Sequence, residues 1–154
     1  MKFIKYFFQS IIVYFFFCII KLIGLSKSRI LFAKVFNSIG PIIKSKNTIN
    51  NNLGKLFGSY SEDKKKEITY KMWSNYGKLF AEYIFLFKFR KSNSHINVKG
   101  ESILEDIKKN GRPVIFVSGH FSNFELMSME LTKRQINLAT IYRPLNNIFL
   151  NPFM

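Results

Sequence analysis

Val114-Ile115-Phe116-Val117-Ser118-Gly119-His120-Phe121-Ser122-Asn123-Phe124-Glu125 is the stretch on which the reading of this chain turns. Its first four residues are β-branched or aromatic and unbroken by polar groups, as expected of a strand buried on both faces. Ser118, Gly119 and His120 then form a tight loop, for which Gly119 supplies the conformational freedom. Ser122 or Asn123 is placed to cap a following helix. Residues five apart on one helix point roughly 140° from each other. His120 and Glu125 therefore meet only if His120 stands in the loop and Glu125 in the first helical turn. A base and a carboxylate would then face each other at the open end of a sheet, where α/β proteins place their chemistry.

Outward from that corner, the pattern predicts strands over 96–99, 114–117 and 137–142, separated by helices over 101–109 and 123–133. Asn110-Gly111 and Pro113 end the first of these helices. This β-α-β-α-β order predicts an α/β fold with a parallel or mixed sheet flanked by helices. The sheet has about three strands and an exposed edge at residue 154, so the expectation is the first, truncated part of an α/β domain occupying 93–154.

The preceding residues read as helical. A short basic helix covers 26–37 and ends near Gly40-Pro41, and a second covers 48–57, closed by Gly58. Ser61 caps a long helix with Glu62 and Asp63 in its first turn. Along it Ile68, Met72, Tyr76, Phe80, Tyr83 and Phe87 recur at helical spacing to about Phe89. Residues 26–92 thus form a basic, membrane-proximal helical segment.

Residues 1–25 are read as a membrane anchor. Phe3 to Leu25 is almost wholly apolar, interrupted by Lys5, Gln9, Ser10 and Lys21. That is long enough to span or embed in a bilayer if its lysines snorkel, and no small-residue cleavage site follows it. Lys21, Lys27, Arg29 and Lys34 after the segment outnumber Lys2 and Lys5 before it, which favours a cytoplasmic body. A buried hairpin of core helices, or a helix lying in the interface, is the alternative.

The formal net charge is +15, and no Asp or Glu occurs before Glu62. Such charge next to apolar sequence suits anionic membrane lipids and acidic or phosphorylated partners. Nucleic acid is the other standard partner of basic proteins, but no nucleic-acid-binding motif is present. Cys18 is the sole cysteine, so neither an internal disulfide nor a cysteine metal site can form. His95 is the only other histidine and no third ligand is evident, so no metal or cofactor is called for.

At the corner itself, neutral His120 would take the proton from an attacking hydroxyl while Glu125 holds its tautomer and stabilises the imidazolium. Backbone N–H groups around Gly119, Ser122 and Asn123 would bind an oxyanion or phosphate at the helix start. Arg143, fixed by Pro144 after the last strand, could make bidentate contacts to phosphate. The class of reaction is acyl transfer to a hydroxyl. Gly-x-Ser-x-Gly is absent, which removes Ser118 and Ser122 as nucleophiles.

A set of ordered motifs resembles one family, the lipid A biosynthesis acyltransferases that add late lauroyl and myristoyl chains. The motifs are the apolar amino terminus, Asn51-Asn52-Leu53, and Trp73-Ser74-Asn75-Tyr76-Gly77 leading to Glu82-Tyr83. Val98-Lys99-Gly100, Ser118 to Glu125, and Tyr142-Arg143-Pro144-Leu145-Asn146-Asn147 complete the set. The resemblance implies an inner-membrane enzyme working at the cytoplasmic face, with acyl carrier protein as donor and a phosphorylated lipid A precursor as acceptor. It maps the catalytic pair onto His120 and Glu125 and a basic substrate contact onto Arg143. Family members run well beyond this length, and the resemblance implies a further functional arginine past residue 154. Alternatives are transfer to another glycolipid or to glycerol phosphate, or an inactive membrane-associated fragment. Glycerol phosphate enzymes usually carry Asp where Glu125 stands.

Overall fold

The computed structural model describes residues 2–44, 46–57, 61–92, 94–141 and 143–153. Among the described residues seven α-helices follow in order: α1 Lys2–Ile23, α2 Leu25–Ile43, α3 Lys46–Phe57, α4 Glu62–Tyr83, α5 Leu86–Lys91, α6 Glu101–Asn110 and α7 Glu125–Lys133. A short 3-10 turn covers Asn151–Phe153. Two compact units emerge, Ile12–Ile84 and Met1–Ile11 with Phe85–Met154.

The unit Ile12–Ile84 is a helical packing of α2 on α4, with α3 beside α4. Gly24, at φ +79°, breaks the chain between α1 and α2, a conformation that suits glycine. The Ser28 hydroxyl, fully buried, donates to the Gly24 carbonyl at 2.7 Å and secures that corner. Phe16 and Phe17 of α1 reach rings on α2 and α4: Phe16 meets Phe32 at 5.6 Å and Phe17 meets Phe80 at 5.5 Å. Such tilted and edge contacts add to the burial of each ring. Where α2 crosses α4, Gly77 lies against the backbone of Phe32 and Gly40 lies under the indole of Trp73. The Arg29 guanidinium pairs with the Glu82 carboxylate at 3.0 Å.

The α4 cap is as the sequence predicts, with the Ser61 hydroxyl accepting from the Lys64 N–H at 3.3 Å. The helix stops at Tyr83 rather than continuing to Phe89, because Ile84 and Phe85 turn. This break lets Phe85 and Phe89 bury in the other unit. α2 runs past Gly40-Pro41 to Ile43; a proline in the last turn forfeits only one backbone bond. Gly58, expected to close α3, lies outside the described residues.

The other unit holds α5, α6 and α7, and it corrects the α/β prediction. No strand and no sheet is present among the described residues. Residues 96–99, 114–117 and 137–141 are irregular and join no hydrogen-bonded ladder, and Tyr142 lies outside the described residues. Extended backbone becomes sheet only when a neighbour accepts and donates across it. Here Ile115 and Val117 are 90% and 89% exposed, so the apolar run is not a buried strand. The helical part of the prediction holds. α6 ends at Asn110 with Gly111 at φ +60° as its left-handed cap.

Candidate functional site

Phe121 N–H donates to the Gly119 carbonyl at 2.8 Å, so His120 sits at the centre of a three-residue turn. A tight turn of this kind projects its central side chain outward, and His120 is exposed. Its ring lies against that of Phe124, with centroids 4.3 Å apart. Ser122 then adopts φ +52°, in the left-handed region few L-residues occupy. That strained residue reverses the chain into α7. The Leu126 N–H bonds the Asn123 carbonyl, and α7 begins at Glu125.

The residue preceding α7 is Phe124, which makes no side-chain cap, where the sequence predicts Ser122 or Asn123 at that position. Glu125 is partly buried in the first turn of α7, where the helix dipole favours a carboxylate. His120 stands in the loop and Glu125 on the helix, as the spacing requires. The two are not hydrogen-bonded to each other in this conformation. Catalytic hydrogen bonds are commonly long without substrate.

Charged contacts hold the other end of α7. The Lys133 ammonium donates to the Phe89 carbonyl at 3.3 Å, tying α7 to α5. Arg134 joins Glu101 of α6 at 3.1 Å and Glu130 of α7 at 3.1 Å. The hydrogen bond that Arg134 donates to Glu101, then the negative charge of Glu101 and the Glu130 carboxylate, raise the Arg134 pKa above its ordinary value against the opposing effect of desolvation. Those ties orient the helix that carries Glu125. Beside it, a cavity of about 610 Å³ is bounded by Ile107, Val114, Phe116, Met127 and Leu138, with Lys108 and Arg112 at its polar side.

Arg143 is exposed at the start of a separate segment. Sequence reasoning passed over Asn147, which organises that segment. Asn147 is 9% exposed; its amide Nδ2 donates to the Tyr6 carbonyl of α1 at 2.9 Å. Its Oδ1 accepts from the Phe149 N–H at 3.1 Å. The Asn151 side chain accepts from the Leu145 N–H at 2.8 Å. The signal was available, because Asn147 closes the motif that begins at Tyr142. No group of three or more potential metal ligands occurs among the described residues.

No curated protein and no solved structure matches the chain. A family model described as bacterial lipid A biosynthesis acyltransferase does match, and it covers residues 1–154. A match along the whole length, on a chain whose motifs keep the order read above, makes this protein a member of the bacterial lipid A biosynthesis acyltransferase family, and thus an acyltransferase.

Proposed function

We propose that the protein is membrane-bound and transfers a fatty acyl chain from acyl carrier protein to a hydroxyl of a lipid A precursor. Neutral His120 accepts the proton of the acceptor hydroxyl as its oxygen attacks the thioester carbonyl. The C–O bond forms and the C–S bond breaks. The departing thiolate takes the proton back from the imidazolium, so the base is regenerated. Glu125 orients the imidazole and stabilises its charged form. Backbone N–H groups around Gly119, Ser122 and Asn123 receive the developing oxyanion, and Arg143 binds acceptor phosphate.

The observation that carries this reading is His120 exposed at the apex of a tight turn, five residues before a helix whose first residue is Glu125. The basic balance of +15 supports acidic acyl carrier protein as donor and anionic membrane lipids as surroundings. The proposed location is the inner membrane, with His120 and Glu125 at the cytoplasmic face.

The test presents the protein with acyl carrier protein thioester or acyl-coenzyme A, plus a phosphorylated, acylated glucosamine disaccharide in mixed micelles. The expected result is a mass gain of one acyl chain on the disaccharide, faster with the carrier protein donor. Equal rates with both donors would contradict the carrier protein. Transfer to glycerol phosphate but not to the disaccharide would contradict the acceptor.

A further inference from the structure

The packing of α2, α3 and α4 leaves a cleft of about 300 Å³ that the acyl-transfer reading does not use. All of its walls belong to the unit Ile12–Ile84, and it shares no residue with the His120 turn. Its volume falls at the small end of the range that ligand sites span. Pro41 of α2, Ile49 of α3, and Tyr70 and Trp73 of α4 give it an apolar side.

The polar side is rich in donors. Asn37 and Trp73 both line the cleft, and their Nδ2 and Nε1 groups are enclosed with no acceptor among the described residues. An indole N–H can only donate, and the Trp73 ring is held against Gly40 of α2. A buried donor without a partner has given up its hydrogen bond to water and received nothing for it. Two of them in one wall mark a place for an acceptor that comes from outside. Lys65 and Lys66 stand in the same wall and bring two cations. Each faces a carboxylate, Lys65 with Glu62 at 2.7 Å and Lys66 with Asp63 at 3.5 Å. Those carboxyl groups are 72% and 94% exposed, so both pairs are weak and open to exchange. α2 and α3 add no acid to the walls, because none precedes Glu62.

We propose that this cleft binds a phosphate monoester, its phosphate taken by Asn37, Trp73, Lys65 and Lys66 and the first carbons of its stem by Ile49 and Tyr70. Three acceptor oxygens and a charge of about −1.5 to −2 at neutral pH match a wall of donors and cations. A carboxylate has one charge fewer and only repeats what Glu62 and Asp63 already offer the lysines. The same chemistry reaches the cleft from two sources, a phosphorylated lipid headgroup or a soluble phosphate ester. The site goes beyond the acyl-transfer reading and does not depend on it.

Trp73 is the only tryptophan of the chain, so its emission reports on the cleft alone. The full chain, in phosphatidylcholine vesicles, is titrated with butyl phosphate, butanoate and butanol. The expected result is a saturable change of emission with butyl phosphate, at concentrations where the other two give none. Lys65→Met/Lys66→Met should weaken that binding about tenfold or more, the worth of hydrogen bonds to a charged group. Phosphatidic acid added to the vesicles tells the sources apart. If it produces the same change and blocks butyl phosphate, the site takes a lipid headgroup; if butyl phosphate binds as before, it takes a soluble ester. No saturable change with either phosphate, equal binding of butanoate, or unaltered binding by the lysine variant overturns the proposal. A second variant, Asn37→Leu, removes one unpartnered donor at similar size. It should keep or raise the thermal unfolding temperature while weakening butyl phosphate about tenfold. A less stable Asn37→Leu protein that binds butyl phosphate as the wild type does would assign that donor to the fold and overturn its part in a site.

Discussion

Gly77 of α4 lies so close to Phe32 of α2 that an added Cβ would stand 2.1 Å from the Phe32 carbonyl oxygen and 2.8 Å from the Ala33 nitrogen. Both obstacles are backbone, so no rotamer change can relieve them. Gly77→Ala is expected to lower stability by about 1–3 kcal/mol, the usual range for overpacking, by prising α2 from α4. Gly54, inside α3 with nothing within 4 Å of an added Cβ, is the control. Gly54→Ala should raise stability by about 0.5–1 kcal/mol through helix propensity. Denaturant unfolding of the two variants checks the pair; equal effects would contradict the close approach.

Arg29 and Glu82 join the same two helices. The Glu82 side chain is nearly buried, whereas Arg29 still reaches water. Removing the cation therefore costs less than breaking a fully buried pair, and Arg29→Ala is expected to destabilise by about 1–2 kcal/mol. Arg29→Lys should recover part of that loss. Thermal unfolding measures both.

Glu67 is exposed on α4 and accepts from Lys71 and Lys64. The Lys71 hydrogen bond first, then that of Lys64, hold its pKa down, at about 2. A carboxyl depressed in the folded state stabilises above its ordinary value of 4.5, and that contribution is lost as pH falls through about 2. A carboxyl NMR titration should place the Glu67 midpoint near the lower figure. In Lys71→Met it should move toward the ordinary value, and an unchanged midpoint would remove Lys71 as the cause.

Some helix ends are legible in the sequence, and the non-local pairing of strands is not. Ser61 and Gly111 announce helix ends because a cap is a contact between residues a few positions apart. The sheet failed because Val114 to Val117 carry strand propensity but say nothing about a partner, and pairing is what makes a strand. The break at Ile84–Phe85 was hidden for a similar reason. The apolar stripe continues through it, and only the burial of Phe85 and Phe89 in a different unit shows why the helix stops.

The family motifs divide in a way that sequence alone did not reveal. Trp73, Gly77 and Glu82 serve the α2–α4 contact, through Gly40, Phe32 and Arg29 respectively. Asn147 serves the seat on α1. His120 has no such packing duty beyond its contact with Phe124 and is exposed, which is the placement a proton-transferring side chain needs.

The central claim is that His120 is the base of an acyl transfer. The direct measurement is the acyl-transfer rate of the wild-type chain and His120→Ala in the same membranes, with thermal unfolding to show that both are folded. The account predicts a loss of about 10²–10⁴-fold in the variant, the usual worth of a positioned general base. A folded His120→Ala protein that transfers acyl chains at the wild-type rate would contradict it.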